Sequence, residues 1–389
     1  MTSIPCLNRT NWVYVTFVES GEAGAGPRVI FAVENIYADS AMKNTLNIPL
    51  TAMAPGLPVT ECRNLRSDAG VAGFIGFSLT KALLSQGYKV CGIDNMARDG
   101  EMLEVMRLRL NGLMSNEQFL FVKADLCNKL VLSDNDLSEC DTIIHLAASA
   151  GVRSSMNNPV KYIKDNVIGF ANVLEFARSN NIKRVIYASS SSVYGNNNMP
   201  AEGLKEDRKI SSPESVYAMT KASDELLAYV YSHTYGIQTI GLRLFSVYGP
   251  YGRPDMAPWI FAKSIMEERE VVLYKNGSMK RDFTYIDDVV NSILMSLRLE
   301  KDRGIYSIYN VGSSSPHTVW ELYTMIERCL DLKGKFKCLD APAGDVEQTF
   351  ANMSYARESL NLPDFTPLEV GVNKFCEWFK EYYHSTIVR

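Results

Sequence analysis

From about residue 70 onward, apolar positions recur with two different periods. Short, nearly continuous apolar runs occupy residues 88–93, 119–122, 142–148, 184–188 and 238–245. Continuous rather than alternating apolar character predicts strands covered on both faces, as in a parallel sheet. Between them, residues 73–86, 160–179 and 215–234 repeat their apolar positions every three to four residues, which predicts helices, the second with Pro159 suited to its first turn. Strands alternating with helices imply βαβ units, hence an α/β fold with helices on both faces of a doubly wound parallel sheet.

The rhythm breaks after Ser246. Residues 249–254 are rich in Gly and Pro, and helices are predicted only at 318–329 and 370–382. Residues 246–389 therefore read mainly as a smaller lobe over the carboxyl edge of the sheet, where ligands of such folds bind. Return segments near 281–315 would rejoin the sheet. Residues 67–245 form the sheet domain. Residues 1–66 read as an atypical extension with one plausible strand, 12–18, and a glycine cluster, Gly21 to Gly26, that no convincing helix follows.

Gly70-Val-Ala-Gly73-Phe-Ile-Gly76 opens the first helix with the spacing of a dinucleotide loop. The first glycine permits a tight turn, the second close backbone approach to a pyrophosphate, and the third tight helix–strand packing. Helix N-terminal N–H groups then face the phosphates. Asp94 ends the next strand, where a carboxylate accepts the ribose hydroxyls of NAD and repels a 2′-phosphate. This makes the sheet Rossmann-type. One feature conflicts: residues 61–69 carry Arg63, Arg66 and Asp68, and unpaired charges do not belong in a central strand. Either that strand is distorted, or another segment such as 12–18 takes its place, or the N-terminal region lies outside the domain.

Tyr217 and Lys221 stand four apart on a predicted helix and so share a face. A free phenol titrates near pH ~10, and a fixed positive charge beside it favours the phenolate, making a usable base. A serine of the upstream run Ser189 to Ser192, at a strand end, would hold the same substrate oxygen. The structural alternative is an amphipathic helix that happens to carry one Tyr and one Lys.

Composition narrows the classes. Hydrophobic content of 46% and charged content of 22% are those of a globular protein, and a net charge of −4 gives no basic field for nucleic acid. Eight cysteines without a CxxC pair and four isolated histidines argue against a zinc site or a disulfide scaffold. No apolar run approaches the ~20 residues of a membrane span, so a cytoplasmic protein with no membrane partner is expected.

With these residues assembled, the chain from Gly70 to its C-terminus resembles the extended short-chain dehydrogenase/reductase family. Within it the likeness is to the nucleotide-sugar epimerases, in particular the UDP-glucuronate 4-epimerases. The matching segments are Gly73-Phe-Ile-Gly76, Gly92-Ile-Asp-Asn95, His145-Leu-Ala-Ala148, Ala150-Gly-Val-Arg153, Ala188 to Gly195, Tyr217 with Lys221, Val247 to Ala257, Arg281 to Asp288 and Gly344-Asp-Val346. The resemblance implies tightly held NAD. Gly70, Gly73, Phe74, Ile75, Asp94 and Asn95 would hold its pyrophosphate and adenosine ribose, Asp125 and Leu126 would face the adenine, and Ala147, Ala148, Tyr217 and Lys221 the nicotinamide side.

It further implies that Tyr217 moves the C4 hydroxyl proton of a UDP-sugar while Ser190 binds the same oxygen. Arg253 and Ser246 would face a sugar carboxylate, Arg281 the diphosphate, and Arg153, Ser191 and Ser192 would line the substrate site. Surface pairing of Arg281 with Asp282, or a lobe-to-lobe ion pair of Arg253, are the structural alternatives. Related dehydratases carry Asp-Glu directly after the residue matching Ser190, and decarboxylases carry Glu where Ser192 stands. Their absence favours epimerisation. His145 reads as structural, and Asp287 with Asp288 as a helix N-terminal pair. Two departures are Ala69-Gly70 for the usual Thr-Gly, and Pro342 for an arginine before Gly344. A homodimer through helices 160–179 and 215–234 is implied. The alternatives are a 4-epimerase of a neutral UDP-hexose, and a catalytically silent dinucleotide-binding protein with a degenerate first strand.

Overall fold

The computed structural model describes residues 28–32, 70–128, 140–196, 199–300, 306–340 and 346–386. Its main sheet has seven strands in the order β10-β6-β5-β4-β1-β2-β3. They are β1 (Arg28–Ala32), β2 (Lys89–Ile93), β3 (Phe119–Val122), β4 (Thr142–His145), β5 (Arg184–Ser190), β6 (Gln238–Leu244) and β10 (Tyr306–Val311), and every neighbouring pair is parallel. Along β4 and β5 the pleat sends side chains to two cores: Ile143, Val185 and Tyr187 to one face, Ile144 and Ile186 to the other. That two-sided burial is why these strands read as unbroken apolar runs.

The first face is covered by α4, which starts at Pro159–Tyr162, passes through a π-helical turn (Ile163–Ile168) and ends as Gly169–Ser179, and by α5 (Val216–Tyr235). The opposite face carries α1 (Phe74–Ser85) and α7 (Ile286–Leu297), which pack together. Between them lie α2 (Gly100–Asn111), α3 (Val152–Asn157) and α6 (Ala257–Met266). The predicted helices and strands recur at almost the same bounds, whereas α2, α3, α6 and α9 have no counterpart among the expected elements. Asp287 and Asp288 do open α7, where carboxylates suit the N-terminal dipole.

The C-terminal segments add a three-stranded sheet of β7 (Ser246–Tyr248), β9 (Lys280–Tyr285) and β11 (Pro316–Thr318), and a pair formed by β8 (Glu270–Tyr274) and β12 (Lys335–Leu339). They are joined by α8 (Val319–Leu330), α9 (Ser354–Leu360), which packs on β10 and α7, and α10 (Leu368–Thr386). Thr318 caps α8 with a full capping box to Glu321.

The conflict before Gly70 resolves upstream, which corrects the boundary drawn at residue 66. The central strand is Arg28-Val-Ile-Phe-Ala32, paired with β2 on one side and β4 on the other, with Ile30 opposite both Cys91 and Ile143. The charged run 61–69, the strand expected at 12–18 and the glycine cluster at 21–26 lie outside the described residues. Proline cannot donate to a ladder and is excluded from central strands. Ile30→Pro should therefore lower stability by at least ~1–3 kcal/mol, read as an earlier urea midpoint; an unchanged midpoint would refute the placement of β1.

Candidate active site

Ser215 starts α5: its hydroxyl accepts the Ala218 N–H at 3.1 Å and so sets Tyr217 in the first turn, beyond the carboxyl end of β5. Tyr217 is half-buried and stands edge-on to Tyr162, with ring centroids 6.4 Å apart. Lys221 is 1% exposed and donates to Asp224 Oδ2 at 3.1 Å. Ser190 closes β5 as the N-cap of the short turn Ser191–Tyr194, its Oγ accepting the Ser192 N–H at 3.1 Å. Because α5 packs on both β5 and this turn, Tyr217, Lys221, Ser190, Ser191 and Ser192 converge on one end of the sheet. The serine turn itself contains no carboxylate.

A buried polar network fixes this end. Ser189 donates to Glu225 Oε1 at 2.6 Å, and Arg243 grips both oxygens of Glu225 at 2.9 Å. Arg243 also donates to the Tyr194 hydroxyl, which in turn donates to Asn310 Oδ1 at 2.7 Å. A second brace comes from the π turn. Its extra residue per turn presents Asn166 inward, where Oδ1 accepts the Ser149 N–H at 2.8 Å and Nδ2 donates to Thr220 Oγ1 at 2.9 Å. Thr220 donates to the Tyr217 carbonyl, so Asn166 ties the loop after β4 to the Tyr217 turn. His145 is buried and stacked on Phe170, and burial first, then Lys221, pushes its imidazole well below its ordinary range. That keeps it neutral, as a structural residue would be.

Around the glycine loop, an added Cβ on Gly76 would lie 1.9 Å from the Gly70 carbonyl oxygen, so only glycine fits. Helix α1 has no side-chain cap and no acidic residue in its first turn. Its N–H groups and dipole are therefore left for an anion, which suits a pyrophosphate. Asp94 is turned differently from the expectation. It is fully buried, with Oδ2 accepting the N–H groups of Gly70 and Ala72 at 3.0 Å and Oδ1 that of Met96 at 2.8 Å. Burial raises its carboxyl to about 6 against these donors. Asp94 thus shapes the loop rather than facing outward. Beside it, Asn95 is 2% exposed, and its Nδ2 has no protein partner, which makes it the polar group at this strand end that remains for a ribose.

Asp125 is half-buried and accepts the Cys127 N–H, burial raising its carboxyl. Leu126 is buried, its carbonyl held by Asn172, and Ala147 and Ala148 lie buried at the end of β4. The loop, α1 and the strand ends therefore fit a dinucleotide.

After β7, Arg253 is 18% exposed on its side chain and forms a bidentate pair with Asp255 two residues away, at 3.0 and 2.6 Å. The pair is local rather than lobe-to-lobe, and the guanidinium lies within electrostatic reach of Tyr217 and Tyr162. Ser246 opens β7, half-buried. Arg281 donates to the carbonyls of Lys280 and Glu347. Asp282 does not pair with it: fully buried, it accepts from the Ser313, Ser314 and Ala351 N–H groups. Arg153 is exposed, 4.6 Å over the Tyr274 ring. Gly344 and Pro342 lie outside the described residues. Among those described, no cluster of His, Cys, Asp or Glu would hold a metal ion.

Arg109, on α2, carries no signal in the sequence. It is 1% exposed and donates to the carbonyls of Ala72 in the glycine loop and of Tyr251 and Gly252 beside Arg253. Its partners are backbone carbonyls, which no residue pattern announces. Asn166 likewise depends on a π turn that periodicity does not reveal.

A family model described as the NAD dependent epimerase/dehydratase family matches residues 69–312. An uncharacterised Methanocaldococcus jannaschii protein is 44% identical over 80% of this chain and 95% of its own. A UDP-glucuronate 4-epimerase of Thermodesulfobacterium geofontis is 38% identical over 80% of this chain and 95% of its own. The crystal structure of a Bacillus cereus UDP-glucuronic acid 4-epimerase with UDP-glucuronic acid and NAD matches with a TM-score of 0.73 and 30% identity, over 80% of this chain and 98% of that one. A helix N-terminus left uncapped behind a glycine loop, a Tyr–Lys pair beside a serine turn, and this match agree: the chain belongs to the NAD dependent epimerase/dehydratase family.

Proposed function

We infer that the protein is an NAD-dependent isomerase that epimerises UDP-glucuronate at C4 to UDP-galacturonate. The observation that carries this reading is the convergence of Tyr217, Lys221 and Ser190 at the strand ends, with Arg253 within electrostatic reach of Tyr217. The relatives named as UDP-glucuronate 4-epimerases and the neighbour with that ligand support it. Bound NAD supplies an acceptor and donor of hydride at C4 of the sugar.

The chain's own residues do the rest. Gly70, Gly73, Phe74 and Ile75 receive the pyrophosphate at the start of α1, and Asn95, Asp125 and Leu126 border the adenosine. Asp94 acts through the shape of the loop. Ala147 and Ala148 border the nicotinamide side. Ionised Tyr217 takes the proton of the C4 hydroxyl as the 4-keto sugar forms and returns it after the sugar has turned over, with Ser190 donating to the same oxygen. Lys221 supplies the charge that favours the phenolate. Because the sugar must rotate, anchoring falls on the diphosphate, through Arg281 with Arg153 nearby. Arg253 and Ser246 meet the carboxylate in either orientation. The serine turn offers no acid for dehydration or decarboxylation. Residues 246–389 serve mainly as the substrate lobe.

The assembly is part of the same reading. Val160, Leu226 and Val230 are 75%, 69% and 51% exposed on the adjoining α4 and α5. An apolar face of this kind suits a second copy of the chain. Among the described residues no helix is long and apolar enough to cross a membrane. Cys91, Cys329, Cys338 and Cys376 are free thiols, which suits the reducing cytoplasm, where we place the protein.

Three measurements test this. Purified protein incubated with UDP-glucuronate should yield UDP-galacturonate by chromatography, and Tyr217→Phe should lower kcat by ~10²–10⁴; no product from the wild type refutes the assignment. Arg253→Leu should cut kcat/KM for UDP-glucuronate by ~10–100-fold, the worth of a charge-assisted hydrogen bond, with a much smaller effect on UDP-glucose. Equal losses on both sugars would remove Arg253 from carboxylate recognition. Leu226→Asp should shift the sedimentation coefficient from dimer to monomer, and a wild type that already sediments as a monomer refutes the pairing.

A further inference from the structure

Lys221 has a partner that the reaction does not require. Along α5, Tyr217 lies one turn toward the N-terminus of Lys221 and Asp224 one turn toward the C-terminus. The ammonium donates to Asp224 Oδ2 at 3.1 Å, and both side chains are 1% exposed. The other carboxylate oxygen, Oδ1, is buried without a hydrogen-bond partner. A buried ionised carboxylate normally fills its lone pairs. An oxygen left empty costs free energy as long as the group is charged, and much less once it is protonated.

The surroundings sharpen this. On the same helix, Asp224 faces Lys221 and the carboxylate of Glu225, which is itself neutralised by Arg243 on β6. From β5 it faces Tyr187, a buried phenol whose neighbour on β10 is Tyr306. From β4, neutral His145 faces Lys221. Lys221 is thus the cation that bonds directly to Asp224, and Asp224 competes with Tyr217 for its field. We propose that Asp224 is a positioning residue for Lys221: ionised, it draws the ammonium toward the C-terminal side of α5 and offsets its charge, and on taking a proton from solvent it leaves that charge to Tyr217.

Burial, opposed by Lys221, raises the Asp224 carboxyl from its ordinary range to about 7. The acid is therefore neutral below that pH and ionised above it. The brake on Tyr217 is absent in acid and engages as pH rises through neutrality. Asparagine cannot ionise and removes the brake at every pH.

The proposal rests on the assignment of Tyr217 and Lys221 above. Its test is the pH profile of kcat for UDP-glucuronate in wild type, Asp224→Asn and Asp224→Glu. The ratio of the Asp224→Asn to the wild-type rate should rise about tenfold between pH 6 and 8.5, the effect of one nearby charge, while Asp224→Glu keeps the wild-type slope. A ratio constant across that range marks Asp224 as merely structural and overturns the proposal. An infrared pH-difference spectrum, which needs no activity, should show a protonated carboxyl band at pH 6 that vanishes by pH 9 in wild type and shifts in Asp224→Glu. If Asp224→Asn does not fold, this spectrum decides, and a carboxylate ionised throughout overturns the proposal. Absence of turnover in the wild type at all pH values would refute the epimerase assignment, leaving the infrared titration to judge Asp224.

Discussion

The sheet has one position that every other part of the site depends on, its centre. β1 pairs on both sides, with β2 carrying Asp94 at its end and β4 carrying the loop of Ala147 and Ala148. The chain order of neighbouring strands reverses there, which opens the crevice in which such folds bind ligands. Without a strand at that position, β2 and β4 have unpaired edges, and the glycine loop and the Tyr217 turn have no common frame. The sequence directly before Gly70 cannot supply that strand, since Arg63, Arg66 and Asp68 would be buried on both faces. The fold meets the constraint with an apolar segment from farther upstream.

Charge buried on backbone is the second organising theme. Asp94 spends its oxygens on loop N–H groups and Arg109 spends its guanidinium on carbonyls of the glycine loop and of the lobe segment beside Arg253. The glycine loop and the segment at Tyr251 and Gly252 are thereby tied through a single guanidinium. Below Ser189, Glu225 and Arg243 are instead matched to each other, side chain to side chain. Such groups are fully hydrogen-bonded, which is the condition under which buried ions are tolerated. Asp224 departs from that condition, and it pairs with Lys221.

Much of this was legible in the chain. Two-sided burial wrote itself as apolar runs, so β2 to β6 and the helices α1, α4 and α5 fell close to their observed bounds, and Tyr217, Lys221 and Ser190 stand at one end of the sheet as their spacing implied. What stayed hidden has physical reasons. β1 is a five-residue strand set far from its loop, and short apolar segments are ambiguous between strand and helix. The inward turn of Asp94 depends on loop N–H groups, and the reach of Arg109 on backbone carbonyls, neither of which has a residue signature. The local pairing of Arg253 with Asp255, rather than with the other lobe, is a matter of rotamers.

The distance in sequence between β1 and its glycine loop has a kinetic side. Residues 33–69 separate the two along the chain, so β1 enters the sheet through pairings distant in sequence from its glycine loop. Each doubling of loop length adds about 0.6 kcal/mol of closure entropy, a modest cost in stability. The larger effect falls on the order of assembly. A strand that must pair with two neighbours already in register behaves as an intramolecular guest entering a prepared slot. Cleavage within 33–69 would turn it into a separate peptide paired with β2 and β4, replaceable by another of the same sequence.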